Sequence, residues 1–413
     1  MELTCDTILD DEDVKEKNYN VCIDGKPLLF LATMQNRIDA IEIMINGKVN
    51  LDARTECRGM TSVFISAYTN RVDILKLLLD CKADPNLGTS DGESTPLVAA
   101  AECDNVDSLN ALIVFKADVD RKLEDGSTAL FTAAWYNSLD CLGVLINMKC
   151  DVNVVNEDGD TPLYVAVEEG NIDVVKMLLE ASADPNYTKN GGWKTPVTKA
   201  VHNKDVDCLE SLLLHGGDPN LRHSIGLSPI FLSIFWNSMD CLKLLIKSGA
   251  NCNQPSCDNI GKGRMTPLHI SIAENNPKSI KILIDAKADP NMKSSNNDES
   301  PVYIASYLNN FDCLKILLEC KGRPDFRKNN TRYSSLDVAV KDSDCYKLLF
   351  DLKQVEKKAI VVKLVGENCP ICLDDMSERE DIEVTNCYHG FHKDCWEEYD
   401  DKGVCPICRG IAE

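Results

Sequence analysis

The chain has 413 residues and a formal net charge of −22, because 66 acidic residues face 44 basic ones. Nucleic-acid-binding proteins need a basic surface, so this charge argues against nucleic acid as the partner and favours proteins with basic surfaces. No apolar run reaches the length of a membrane-spanning helix, the longest being the short run near Pro229–Trp236.

The chain begins with an acidic N-terminal segment, residues 1–22. It lacks the apolar stretch of a secretory signal. With neither a signal nor a membrane span, we expect the protein to stay in the cytosol or the nucleus.

Residues 23–350 form an internal repeat with a period near 33 residues. The copy at 158–186 is the clearest, and it opens with Thr161-Pro162-Leu163. Ten copies are predicted, which start at Lys26, Thr61, Thr95, Thr128, Thr161, Thr195, Ser228, Thr266, Ser300 and Ser334.

Each copy carries the local signals of two short helices. Thr161 offers a hydroxyl that caps the first helix, and Pro162 presets φ at its first position. The first helix should end nine residues after each start, where residues that tolerate positive φ recur at Asn70, Asn137, Gly170, Asn237, Asn275 and Asn309. Acidic residues then fall in the first turn of the second helix, where the helix dipole favours an anion, at Asp73, Asp140, Asp173, Asp240 and Asp312.

This pattern resembles the ankyrin repeat, including its Thr-Pro-Leu opening. The resemblance implies a mainly α solenoid of about ten helix-turn-helix repeats that binds a protein substrate and has no chemistry of its own. Aromatic side chains are candidate anchors for that partner, half-buried packing being the alternative, at Trp135, Tyr136, Trp193 and Trp236. The atypical first and tenth copies are expected to be end caps, the tenth with a shortened second helix.

Four cysteines occupy one position of the repeat, thirteen residues after its start, where Ile74 and Val174 also occur. We therefore expect buried, small apolar side chains that neither bind metal nor form disulfides at Cys141, Cys208, Cys241 and Cys313. Such use of cysteine fits a reducing compartment.

Residues 351–366 connect the repeats to the last segment of the chain. Their first part is charged, and Ala359–Val365 is rich in valine and isoleucine. We expect a final helix followed by a short extended piece, which would set the last segment against the last repeat.

Residues 367–413 carry eight potential zinc ligands: Cys369, Cys372, Cys387, His389, His392, Cys395, Cys405 and Cys408. Six sulfur and two nitrogen donors make two tetrahedral sets, which suit Zn²⁺. Because so short a segment can hardly build an adequate hydrophobic core, bound metal must supply much of its folding free energy.

The alternatives to a structural zinc site are disulfides, a catalytic zinc and chance. The acidic N-terminus argues against secretion and so against disulfides, and two closed sets of four argue against an open catalytic site.

The spacing resembles the RING finger of the H2 type, a small zinc-bound α+β domain. The resemblance implies interleaved ligands for two Zn²⁺ ions: Cys369, Cys372, His392 and Cys395 for one, and Cys387, His389, Cys405 and Cys408 for the other. It also implies a RING-type E3 ubiquitin transferase, which holds a ubiquitin-loaded conjugating enzyme (E2) while a substrate lysine attacks the thioester. The finger supplies positioning and no nucleophile. With only five residues after Cys408, we expect a monomeric finger.

Three residues match positions where that family contacts its partners. Ile371 and Pro406 match apolar contacts to the E2, and Arg409 matches a "linchpin" that donates hydrogen bonds to both the E2 and ubiquitin. Tyr399 stands where the family usually has tryptophan, which leaves the E2 partner open. Core packing is the other interpretation of Ile371, and a solvated cation that of Arg409.

Two functions follow from these resemblances. The first is an E3 ubiquitin-protein ligase that holds its substrate on the ankyrin repeats and recruits an E2 through the RING finger. The alternative is an ankyrin adaptor whose RING finger is a structural or docking module without ligase activity.

Overall fold

A computed structural model describes residues 19–188, 195–222, 226–256, 265–294, 299–324, 333–364, 382–384 and 390–392, the last two ranges and 357–364 as backbone only. The chain divides into two compact units, Met1–His223 and Ser224–Glu413.

The first unit is built from pairs of short helices that follow a two-stranded hairpin. The hairpin pairs β1 (Cys22–Ile23) with β2 (Lys26–Pro27) in antiparallel register. The first helices of repeats 1 to 6 are α1 (Leu28–Met34), α3 (Ser62–Tyr68), α5 (Pro96–Glu102), α7 (Ala129–Trp135), α9 (Pro162–Glu169) and α11 (Pro196–Asn203). The second helices are α2 (Ile38–Asn46), α4 (Val72–Asp80), α6 (Val106–Val114), α8 (Leu139–Asn147), α10 (Ile172–Glu180) and α12 (Val206–Leu214).

The second unit continues the same alternation of helices. The first helices of repeats 7 to 10 are α13 (Pro229–Phe235), α15 (Pro267–Ala273), α17 (Pro301–Tyr307) and α19 (Ser335–Val338). The second helices are α14 (Met239–Lys247), α16 (Pro277–Asp285), α18 (Phe311–Glu319) and α20 (Asp344–Leu364). A hairpin of β3 (Ile382–Val384) and β4 (Gly390–His392) follows, and its Cα atoms come within 8 Å of those of α20.

The local signals in the sequence explain these helices. Thr161 caps α9, because its hydroxyl accepts a hydrogen bond from the backbone N–H of Tyr164 at 3.1 Å. The φ angle of Gly170, which ends that helix, is +75°. The other predicted positions of positive φ are confirmed at Asn70, Asn137, Asn237, Asn275 and Asn309. The five expected acidic residues also lie in the first turns of their second helices, at Asp73, Asp140, Asp173, Asp240 and Asp312.

The core of each unit lies between successive helix pairs. Like helices of neighbouring repeats pack against each other, as α3 packs on α5 and α5 on α7. The four predicted cysteines are confirmed as buried thiols that form no disulfide and fill this core, at Cys141, Cys208, Cys241 and Cys313. Burial in an apolar environment raises the pKa of each thiol whose shift is resolved, as at Cys313, where it rises to about 11.

A ladder of side-chain amide and carboxylate oxygens also joins neighbouring repeats. Asn86 Oδ1 accepts a hydrogen bond from the backbone N–H of Asp118 at 2.7 Å, and Asn186 Oδ1 accepts one from that of Asp218 at 2.7 Å. In the equivalent bonds a backbone N–H donates to the side-chain Oδ1 of the preceding repeat: Asp84 to Asp52, Asp184 to Asn153, Asp289 to Asn253 and Arg323 to Asn291. The acceptor satisfies a backbone donor of the next repeat, which explains why Asp-Pro-Asn or a relative recurs there.

The tenth copy differs from its prediction. Its first helix is the short one, because Ala339 adopts an extended conformation directly after α19, with ψ of 138°. The prediction of a shortened second helix is wrong, since α20 runs for 21 residues. The predicted extended piece over Ala359–Val365 is also wrong as far as Leu364, where α20 continues. No glycine or proline interrupts Asp344–Leu364, so the helix-forming residues before the valine-rich stretch carry the helix through it.

Within the described ranges, no helix has both the length and the apolar character needed to cross a membrane.

Candidate binding groove and candidate zinc centre

A groove of about 580 Å³ opens in the first unit between the first helices of repeats 2, 3 and 4. Its floor is apolar, with Phe64, Val98 and Phe131 in equivalent positions on α3, α5 and α7. Its rim is made by side chains at the C-terminal ends of the same helices and by the loops that precede them. We call it the aromatic groove and define it by Tyr68, Glu102, Asp125, Trp135 and Tyr136.

The repeat explains how three of these side chains meet. Tyr68, Glu102 and Trp135 each stand seven residues after the start of their repeat, at the last residue of the first helix. Because like helices stack side by side, residues 33 or 34 positions apart become neighbours along one wall. Tyr136 directly follows Trp135 and is the C-cap residue of α7.

The aromatic rings of the groove stay accessible. Tyr68 exposes 42% of its surface, Trp135 47% and Tyr136 57%. Trp135 is held from below by Phe131, whose ring meets it edge to face with centroids 6.1 Å apart. This contact fixes the indole while leaving part of it open to a partner.

The charge of the groove is acidic. Arg58 is the cation that lines it, and its guanidinium pairs with Asp91 at 3.7 Å and with Glu93 at 3.2 Å. In the part of the chain that the structure describes, no cation pairs with Glu102 or Asp125. The Cys103 thiol and the Glu102 carboxylate beside Tyr68 raise the pKa of its hydroxyl.

The four aromatic residues predicted from the sequence fall in different places. Trp135 and Tyr136 lie together on the rim of the aromatic groove. Trp236 belongs to the second unit and is half-buried, as the packing alternative expects. Trp193 lies outside the described residues.

Sequence reasoning missed Tyr68 and Glu102 as members of this site. The signal that identifies them is positional: both occupy the repeat position of Trp135, which the structure places on the groove. Aligning the repeats places Tyr68, Glu102 and Trp135 at one position, whereas tryptophan content alone points only to Trp135.

The candidate zinc centre lies almost wholly outside the described residues. His392 is the last residue of β4, where it pairs in register with Ile382, and only its backbone is described. The other seven predicted ligands lie outside the described residues, as do Ile371, Tyr399, Pro406 and Arg409. Within the described part, no three His, Cys, Asp or Glu side chains are grouped so that they could hold a metal.

The donor set itself fits zinc. Six cysteines and two histidines offer thiolate and imidazole donors, which are the ligands of structural zinc sites. The β3–β4 hairpin lies after Cys372, the second ligand along the chain, and ends at His392, the fifth. Its described strands bring Val384 opposite Gly390. A short hairpin inside a ligand array suits a domain whose fold depends on bound metal.

Comparison with protein families assigns both parts of the chain. The family model described as "Ankyrin repeats (3 copies)" matches residues 3–89, 90–189 and 197–294. The model described as "Ring finger domain" matches residues 367–409. Helices α17 to α20 lie beyond the last ankyrin match and continue its pairing of helices.

Relatives among curated proteins are similar over the second of these parts. "RING finger protein 24" of Homo sapiens is 36% identical over 67 residues, which cover 15% of this chain and 44% of that protein. "RING finger protein 122" of Mus musculus is 36% identical over 50 residues, covering 11% and 31%. "Brassinosteroid-responsive RING protein 1" of Arabidopsis thaliana is 40% identical over 47 residues, covering 10% and 27%.

The chain thus spans less than half the length of each of these relatives. The family models carry the assignment instead, since the ankyrin matches cover more than half of this chain and the helix pairs have the expected architecture. Membership of the RING family implies zinc binding. The chain belongs to the ankyrin-repeat family and carries a RING finger over residues 367–409.

Proposed function

We propose that this protein is a RING-type E3 ubiquitin-protein ligase that binds its substrate on the ankyrin repeats and recruits a ubiquitin-loaded E2 through the RING finger. The observation that carries the proposal is the Ring finger match over residues 367–409, which coincides with the eight-ligand spacing. The rest of the chain supplies what a finger of this size lacks, which is a surface large enough to hold a second protein.

The proposed metal centre holds two Zn²⁺ ions. One is bound by Cys369, Cys372, His392 and Cys395, and the other by Cys387, His389, Cys405 and Cys408. When bound, zinc supplies folding free energy and takes no part in the transfer. The closed sets of four protein ligands support this structural role, because a catalytic zinc keeps an open position.

The chain's own residues act on the transfer by positioning. Ile371 and Pro406 offer apolar contacts for an E2, and Tyr399 adds an aromatic face beside them. Arg409 donates hydrogen bonds at once to the E2 and to ubiquitin, for which a planar guanidinium is suited. Holding the thioester in an orientation open to attack lowers the entropic cost of the reaction, and a lysine of the substrate is the nucleophile.

The proposed site of action is the cytosol or the nucleus. The cysteines that fill the repeat core support it, because those that the structure describes form no disulfides. The proposed partners are an E2, ubiquitin and a protein substrate.

The test is self-ubiquitination by the full-length protein with a panel of E2 enzymes. Wild type should build ubiquitin conjugates with at least one E2, Cys372→Ser should build none, and Arg409→Ala should be at least about tenfold slower. Arg379→Ala removes another arginine of the same segment and should match wild type.

Two results would oppose the proposal in different ways. If wild type forms no zinc-dependent conjugates with any E2, the ligase function is wrong and the adaptor function takes its place. If Arg409→Ala is as fast as wild type, the linchpin role is wrong while the ligase function stands. Tyr399→Trp should widen the range of E2 enzymes that work, because it restores the residue that the RING family usually has there.

A further inference from the structure

The aromatic groove exposes more ring surface than the packing of the repeats requires. Tyr68, Trp135 and Tyr136 lie on one rim above an apolar floor, and each keeps two fifths or more of its surface open to solvent. Clustered exposed aromatic side chains are typical anchors for a protein partner. Their spacing along one wall suits an extended segment that crosses several repeats.

The sign of charge selects among possible partners. Arg58, the one cation among the described residues that line the groove, is already paired with Asp91 and Glu93. The carboxylates of Glu102 and Asp125 have no cation beside them in the described part of the chain, and Glu102 sits between the repeats that bear Tyr68 and Trp135. The groove therefore attracts a positive group and repels phosphate and carboxylate groups.

Aromatic rings and a carboxylate are together the partners that a lysine or arginine side chain prefers. The faces of tyrosine and tryptophan attract a cation, and the apolar stem of lysine or arginine packs against the same rings. An adjacent carboxylate such as that of Glu102 adds an ion pair with the bound cation. An apolar neighbour of that basic residue would fill the floor over Phe64 and Phe131.

We propose that the aromatic groove binds an extended segment of a partner protein in which a lysine or arginine stands next to an apolar residue. The basic side chain lies between Tyr68 and Trp135 with its charge against Glu102, and the apolar side chain enters the groove. This inference rests on the proposed function in so far as the partner is the ligase substrate. The binding itself requires no ubiquitin chemistry.

The test is binding of full-length protein to an immobilised library of nonapeptides in which the central residue is fixed and the others vary. Peptides with central lysine or arginine should be retained most and those with aspartate or glutamate least. The best peptide is then measured by fluorescence anisotropy beside a version with norleucine in place of its basic residue. We expect the norleucine version to bind about tenfold more weakly, and binding of the basic version to weaken as salt is raised.

Variants of the groove separate its two chemical features. Glu102→Gln should weaken the basic peptide about fivefold and leave the norleucine peptide unchanged, because it removes charge alone. Tyr136→Ala should weaken both, since it removes ring surface from an exposed side chain that the fold does not need. Matched controls in the second unit are Glu274→Gln and Tyr307→Ala, which are exposed and lie outside the groove.

The outcomes distinguish this inference from the ligase proposal. Equal retention of basic, neutral and acidic peptides would overturn the proposal that the groove binds a basic segment. An equal loss of peptide affinity in the groove variants and the control variants would also overturn it. Selective binding of basic peptides by a protein that transfers no ubiquitin would support the groove proposal and overturn only the ligase function.

Discussion

His269 joins two successive repeats of the second unit through the two nitrogens of one ring. Its Nδ1 accepts a hydrogen bond from the backbone N–H of Thr266 at 3.1 Å, and its Nε2 donates to the carbonyl oxygen of Glu299 at 3.2 Å. These partners select the neutral ring with its proton on Nε2. Burial of the whole side chain lowers its pKa from 6.5 to about 4.

We predict that acid loosens these two repeats. Because the pKa of His269 is depressed by folding, the unfolded chain binds more protons between about pH 6.5 and pH 4, so stability falls as pH falls through that window. The loss should reach about 2 kcal/mol at pH 5 relative to pH 8. Hydrogen exchange of peptides from residues 266–306 measures it, after correction for the intrinsic exchange rate.

His269→Gln should remove most of this pH dependence, because glutamine does not ionise. His202→Gln, at an exposed histidine of the first unit, is the matched control and should leave the dependence intact. Equal protection of residues 266–306 in wild type at pH 5 and pH 8 would contradict the buried neutral ring.

A second prediction concerns the end of α3. The last carbonyl groups of a helix lack partners within it, and Asn105 of the next repeat donates from Nδ2 to those of Ala67 at 3.0 Å and Tyr68 at 2.8 Å. Asn105→Ala should lower the free energy of unfolding by about 1–2 kcal/mol. Urea unfolding followed by circular dichroism measures this. Asn110→Ala, at an exposed asparagine in the same repeat, should stay within about 0.5 kcal/mol of wild type.

The third prediction concerns the thiols of the repeats. In the native protein, iodoacetamide should label the exposed Cys57 and Cys81 at least about 100-fold faster than Cys141 and Cys313. Burial keeps the last two from solvent and raises their pKa, so little thiolate forms. Peptide-resolved mass spectrometry reads each site, and in urea all four should react at similar rates. Fast labelling of Cys141 in the native state would show that its core opens readily.

The fourth prediction separates the zinc centre from the repeats. Removing zinc with a chelator should abolish ubiquitin transfer and leave the helical signal of the repeats almost unchanged, because the proposed ligands all lie in residues 367–413. Metal analysis should find about two zinc ions per wild-type chain and fewer in Cys372→Ser. Cys81→Ser, outside that segment, should keep the full content. Loss of helix on chelation would show that the repeats depend on the finger.

The helix pairs were predictable because their signals are local. A capping hydroxyl such as that of Thr161 and a positive φ such as that of Gly170 act within a few residues of the backbone that they shape. Their recurrence at a fixed period also made the number of repeats predictable. The predictions were wrong where residue type and helix-ending signals disagreed. In α20 the valine-rich end favoured a strand, although no glycine or proline before it ended the helix.

The groove was predictable only in part. Trp135 and Tyr136 were candidate anchors from their residue type alone, whereas Tyr68 and Glu102 carry no signal until the repeats are stacked. A carboxylate of one helix and a ring of the next meet because their repeats pack side by side. That depends on the buried apolar faces of both, as at Leu75 and Leu109.

By itself the sequence determined that this chain forms paired short helices and ends in an eight-ligand array, because caps, turns and metal ligands act through spacing along the backbone. Only the tertiary structure decided which exposed side chains share one surface and which carboxylates there have no cation beside them among the described residues. Contacts between residues 33 or more positions apart depend on how the repeats pack. The acidic rim around Trp135 therefore emerged from packing rather than from any motif.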